Sequence, residues 1–179
     1  MYKVLLVDDE YMITEGLKKL IPFDHWNMEV VATAEDADQA LDYVREYPVD
    51  VVITDVNMPG KTGLQMIAEM KDLIPDAAYI IMSGYQDFEY VKTALNLRVA
   101  DYLLKPVNKV EMGNILEKIQ EILADRNPRS EIEEKSGRQS IGIVNVHERM
   151  LLYFGDRYHI QVFSQPHHGV TYTITIQDE

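Results

Sequence analysis

The chain has 179 residues, 46% apolar and 26% charged, enough for one globular core plus a small appendage, and no apolar run is long enough to span a membrane. Its net charge is −13, with 23 of the 30 acidic but only 11 of the 17 basic residues in positions 1–125; such a surface repels a polyanion, so direct DNA binding is not expected. There is no cysteine, which excludes disulfides and thiol chemistry, and the start MYKVLLVDDE turns acidic too soon for a secretory signal, so a cytoplasmic location is expected.

Residues 1–125 alternate short apolar runs with helical patterns. Strands are predicted near 3–8, 29–34, 50–54, 78–83 and 100–104, and helices near 10–20, 36–46, 62–73, 85–96 and 108–124. Pro22 and Pro48 punctuate helix ends, Pro75 closes the third helix, and Asp36 or Glu35 can start the second. Asp24 and Asp50 read as exposed charges. The alternation predicts a doubly wound α/β fold, a five-stranded parallel sheet with helices on both faces.

Residues 126–140, RNPRSEIEEKSGRQS, are polar and aperiodic and read as a linker. In residues 141–179, Val144, His147, Met150, Leu151 and Phe154 recur at helical spacing, with Gly155 as a stop. HIQVFS and VTYTITI then alternate like strands on either side of QPHHG. This appendage is expected to be a helix plus a β-hairpin. Alone it buries little apolar area, and Ile160, Val162, Val170, Ile174 and Ile176 need a cover. It is expected to dock on the first 125 residues or to swap between chains in a homodimer. His147, His159, His167 and His168 lack the paired spacing of a zinc site, and His167 and His168, in a turn, read as solvated.

The polar residues at the strand ends carry the chemistry. Lys3–Val7 runs into Asp8, Asp9 and Glu10; Asp50–Thr54 into Asp55; Ala78–Met82 into Ser83 and Gly84; Ala100–Leu104 into Lys105 and Pro106. Open parallel sheets bind ligands beyond the carboxyl ends of their strands. Three carboxylates, a hydroxyl and a lysine are therefore expected on one edge. Adjacent acids point differently, so one of Asp8 and Asp9 can ligate a metal directly and the other through water. Mg²⁺ takes oxygen ligands and bridges one or two carboxylates to phosphate. A carboxylate can itself attack a phosphoryl group, with Lys105 and Ser83 supplying a cation and a hydroxyl donor to its oxygens. Taken singly, Asp8, Asp9 and Asp55 could be helix caps, Ser83 a turn residue and Lys105 a solvated lysine. Their joint placement at four strand ends favours a site.

The segments VLLVDDE, DVVITDVNMPGKTGL, IIMSGYQDF and ADYLLKPV resemble the receiver domain of a two-component response regulator over residues 1–125. The resemblance implies a flavodoxin-like sheet of order 2-1-3-4-5. It implies Asp55 as phospho-acceptor and Asp8 with Asp9 as the acidic pair, Asp9 being the direct Mg²⁺ ligand alongside Asp55. Asn57 would ligate Mg²⁺ through its main-chain carbonyl, and Ser83 and Lys105 would contact the phosphoryl oxygens. Tyr102 matches the aromatic that changes rotamer with Ser83 on activation; a structural tyrosine is the alternative. The Lys105–Pro106 bond would be cis. The implied partner is a sensor histidine kinase, with output through protein–protein contacts such as homodimerisation. The implied protein is a signalling switch, catalysing only its own phosphorylation and dephosphorylation.

The tail GRQSIGIVNVHERMLLYFGDRYHIQVFSQPHHGVTYTITIQ resembles the C-terminal part of a histidine-kinase ATP-binding domain, with Ser140 in place of one glycine. It lacks the Asn-rich helix and the Asp-x-Gly-x-Gly adenine site, so no nucleotide binding is expected. The alternative reading is a kinase-regulating or nucleotide-binding module acting through this segment. A haloacid-dehalogenase-type phosphatase would need Asp-x-Asp on the first strand, where this chain has Asp8-Asp9.

Overall fold

The structure is a computed structural model that describes residues 1–84, 87–125, 148, 150–152, 155, 158–165 and 169–176. Five strands, β1 (Tyr2–Val7), β2 (Met28–Ala34), β3 (Val51–Asp55), β4 (Ala78–Ser83) and β5 (Asp101–Leu104), form one sheet of order β2-β1-β3-β4-β5. Every neighbouring pair in it is parallel. The connecting helices are α1 (Tyr11–Leu20), α2 (Ala37–Glu46), α3 (Gly63–Leu73) and α4 (Phe88–Asn96), and α5 (Lys109–Asp125) follows the last strand. The flavodoxin-like order expected from the resemblance is the order observed. No helix among the described residues is long and apolar enough to cross a membrane.

Strand side chains point alternately to the two faces, and the core divides accordingly. Leu5, Val7, Val52, Tyr79, Ile81 and Tyr102 pack with α2, α3 and α4. Val4, Leu6, Val51, Ile53, Ile80, Met82 and Leu103 pack with α1 and α5. Both faces of the central strands are covered, which is why these runs read as continuously apolar rather than alternating. The interleaving also means that a one-residue slip of any central strand would exchange the side chains facing the two helical layers.

Local signals place the helix ends. The Asp36 side chain accepts a hydrogen bond from the Gln39 amide at the start of α2. Thr62 and Gln65 form a reciprocal capping box at the start of α3. Two details depart from the sequence reading. Residues Phe23–Trp26 form a 3₁₀ turn where only a break was expected, closed by Asn27 in the left-handed region at φ 55°. Asp50 is half-buried rather than exposed, because its carboxylate accepts the Lys3 amide at 2.7 Å, a strand-end donor with no place in the ladder.

The proposed linker, 126–140, lies outside the described residues, as do His147, His167 and His168. In the appendage, residues 148 and 150–152 are helical, and Gly155 takes the left-handed φ of 56° that suits a helix stop. β6 (Tyr158–Gln165) and β7 (Gly169–Ile176) pair antiparallel as a hairpin. His159 is exposed. Met150 and Tyr158 are buried, at 1% and 2% exposure, in the same apolar cluster as α2, α3 and α4, and Ile160 packs against it. Within one chain the appendage thus contributes to the main core. Burial holds the Tyr158 hydroxyl neutral, its pKa pushed up to about 12.

Candidate functional site

Parallel registration brings the carboxyl ends of β1, β3, β4 and β5 to one edge, with Val7 beside Thr54, Asp55 beside Met82 and Ser83 beside Leu104. Backbone bonds carry the ladder one residue further. The Asp8 amide donates to the Ala34 carbonyl, Val56 to Met82, and Lys105 to Ser83 at 2.8 Å. Asp8, Asp55, Ser83 and Lys105 are therefore set by the sheet rather than by free loops.

Lys105 is the centre of this edge. Its ammonium lies 2.8 Å from Asp8 Oδ2 and 2.6 Å from Asp55 Oδ1. Asp8 is fully buried and its other oxygen accepts the Glu10 amide at 3.0 Å. Asp55 is 5% exposed, and its Oδ2 accepts the Asn57 amide at 2.7 Å. These are charge-assisted bonds in a partly desolvated pocket, where each unpaired charge would be costly.

Burial is the largest influence on Asp55 and raises its pKa above the ordinary carboxylate range, against the opposing pull of Lys105 and the Asn57 amide; the charge on Asp8 adds to the rise. For Lys105, burial acts downward, but its bonds to Asp55 and Asp8 outweigh it and the net shift is upward. The ammonium remains charged while the carboxylate beside it is held under tension.

Ser83 is fully buried at the end of β4, and Tyr102 is fully buried in β5 among the side chains facing α2, α3 and α4. The Lys105–Pro106 peptide is cis. Asn57 is exposed, and its Oδ1 accepts a 2.9 Å hydrogen bond from the Tyr90 hydroxyl of α4. Asp9 departs from the expectation that three carboxylates gather. It is exposed just past β1, and among the described residues no three acidic or imidazole groups stand close enough to form a ready metal cage.

Sequence reasoning missed Gly63. A Cβ built there would lie 2.0 Å from the Asp55 carbonyl oxygen and 3.0 Å from Thr54 Oγ1. The first turn of α3 thus presses on the main chain of Asp55, and the Gly63 amide donates to the Val56 carbonyl at 2.9 Å. Gly63→Ala should destabilise the protein by about 2–3 kcal/mol, since the obstacle is backbone and cannot swing aside. An unaltered urea midpoint would contradict this close approach. A glycine directly after the Thr62 cap, inside the Thr-x-x-Gln box, was the available signal, but helix starts tolerate glycine for many reasons.

A family model, the response regulator receiver domain, matches residues 4–117. The chain belongs to this family. Solved receiver structures agree with it. The receiver domain of AraT from Geobacillus stearothermophilus is 38% identical, covering 69% of this chain and 96% of that one, with a TM-score of 0.66. A two-component transcriptional regulator AraC from Clostridium phytofermentans is 30% identical, covering 70% and 97%, with a TM-score of 0.65. Among curated relatives, a response regulatory protein of Staphylococcus epidermidis is 41% identical over 126 residues, which is 70% of this chain and 49% of that protein. The transcriptional regulatory protein HptR of Staphylococcus aureus is 32% identical over 179 residues, 99% of this chain and 68% of HptR. The chain therefore spans about half the length of the first relative and about two-thirds of the second. The HptR match runs through the appendage as well as the receiver.

Proposed function

We propose that this receiver accepts a phosphoryl group on Asp55 from a sensor histidine kinase and thereby switches protein–protein contacts. The observation that carries the proposal is the Lys105 ammonium shared by Asp8 and Asp55 at 2.8 and 2.6 Å. Two carboxylates at strand ends already converge on one cation, and one of them is destabilised in its charged form by burial.

In the reaction an Asp55 oxygen attacks phosphorus. A P–O bond forms to the carboxylate, and the bond to the donor breaks, its electron pair leaving with the donor. Lys105 holds the acceptor before transfer and pairs with phosphoryl oxygens after it. Ser83 donates its hydroxyl to the same oxygens. The surrounding donors are all oxygen, which fits a hard cation that keeps several waters and needs only one or two carboxylates. Asp8, Asp9, Asp55 and the main-chain carbonyl of Asn57 would hold Mg²⁺. When bound, it would neutralise charge on the transferring group. Movement of Ser83 toward the phosphoryl group would open the space into which Tyr102 turns, biasing the surface of α4, β5 and α5.

We take residues 1–125 as the receiver unit, 126–140 as a linker and 141–179 as an appendage, with a homodimer as the output. HptR is named a transcriptional regulator. That name is compatible with a net charge of −13 that disfavours DNA contact by these residues, since the match covers 68% of HptR.

Incubation with acetyl phosphate should label the protein only when Mg²⁺ is present, and hydroxylamine should strip the label, which maps to Asp55. A hydroxylamine-resistant label, or one mapping elsewhere, would overturn the acceptor assignment. Solution mass in the presence of beryllofluoride should double; an unchanged mass would remove the dimer from the proposal.

A further inference from the structure

Asn57 is held at both ends. Its amide nitrogen donates to Asp55 Oδ2 at 2.7 Å, and its side-chain Oδ1 accepts from the Tyr90 hydroxyl at 2.9 Å across 33 residues of sequence. Tyr90 lies in the first turn of α4, and its ring packs against the apolar cluster that also contains Val91, Ala94 and Tyr102. Because that packing has already ordered the ring, little further entropy is lost when its hydroxyl binds Asn57. One residue thus links the acceptor carboxylate to the start of a helix on the neighbouring connection.

We propose that the Tyr90–Asn57 hydrogen bond is a latch that holds α4 to the acceptor loop in the unphosphorylated protein and loosens when Asp55 is esterified. This rests on the reading of Asp55 as the acceptor. A carboxylate oxygen is a strong, charge-assisted acceptor, whereas the carbonyl oxygen of an acyl phosphate is a neutral and weaker one. Esterification therefore weakens the hold of Asp55 on the Asn57 amide. With that hold weakened, Asn57 no longer presents Oδ1 to Tyr90 in the same place, and the first turn of α4 loses a tether. The link passes through neither Ser83 nor Tyr102. Tyr90 is a positioning residue in this scheme: it touches Asn57, not the reacting atoms.

The test is hydrogen exchange of residues 88–92 in the full chain. Tyr90→Phe and Asn57→Ala should each speed exchange there by about two- to fivefold in the unphosphorylated protein, the worth of one solvent-exposed hydrogen bond. The double variant should be no faster than either single one, because both remove the same bond. In the wild type, beryllofluoride with Mg²⁺ should speed the same amides, and Tyr90→Phe should abolish most of that increment. Unchanged exchange in either single variant, or effects that multiply in the double one, would overturn the latch. So would a wild-type α4 indifferent to beryllofluoride in protein that acetyl phosphate still labels on Asp55. Loss of that labelling in the wild type would instead strike the acceptor reading itself.

Discussion

Asp55→Asn should abolish phosphate incorporation and at the same time stabilise the protein. The first effect follows because an amide oxygen is too weak a nucleophile to take the phosphoryl group from an acyl or imidazole donor. The second follows from burial, which outweighs Lys105 and the Asn57 amide and leaves the Asp55 pKa raised. An acid whose folded pKa lies above its unfolded value favours the folded state fully below the unfolded pKa. That contribution is lost as pH rises through the folded pKa, because the unfolded chain ionises more readily. At neutral pH the wild type therefore carries the cost of an ionised, desolvated carboxylate. Asparagine has nearly the same shape and carries no charge, and Lys105 keeps Asp8 as its partner at 2.8 Å. A gain on the order of 1 kcal/mol is expected, which is about 2–4 °C in midpoint for a chain of this size. The advantage should be largest near pH 8 and shrink toward pH 4. The comparison belongs in chelator, because a bound cation would stabilise the wild type by mass action. A variant less stable than wild type across this range would mean that pairing with Lys105, not burial, dominates at Asp55.

The sequence pattern reached the sheet and its edge for a simple reason. Strand ends are marked wherever an apolar run meets a charged residue, and parallel registration then brings those ends together without further information. Asp8, Asp55, Ser83 and Lys105 come to one rim on that logic, and the register pairs Ser83 with Leu104, next to Lys105. What the pattern could not reach is side-chain direction past the last strand residue, where the period of two no longer applies. Asp9 faces solvent for that reason. Contacts joining residues remote in sequence were equally hidden. Asp50 satisfying the Lys3 amide and Tyr90 reaching Asn57 depend on how a connecting loop lies against a strand in one case and a helix in the other. Gly63 was invisible in a different way, since its importance is the absence of a side chain beside the Asp55 carbonyl.

Lys105→Met should produce the largest combined loss in the molecule. The lysine is 19% exposed and bridges one carboxylate that is fully buried and another that is 7% exposed. Methionine retains the packing of the stem but leaves both acids without a cation. Breaking a buried ion pair from one side costs about 3–5 kcal/mol, because the remaining charge is neither solvated nor paired. With its two Lys105 contributions gone, the Asp55 pKa should climb further above the ordinary range. The sign is then the same as for the wild type but larger: the deficit is greatest above the folded pKa and fades as acid protonates the carboxyl. Urea unfolding at pH 8 and pH 5 should show the gap between variant and wild type narrowing at the lower pH. Labelling by acetyl phosphate should fall by about two to three orders of magnitude, the usual cost of deleting one preorganised charge from a group-transfer site. The double variant Lys105→Met with Asp55→Asn separates the two consequences. It should recover much of the lost stability, since one orphaned carboxylate is gone, and remain unlabelled. If instead the two changes were additive in stability, the ion pair would carry no coupling energy, and the shared cation would be a crossing of neighbours rather than the organising contact of the site.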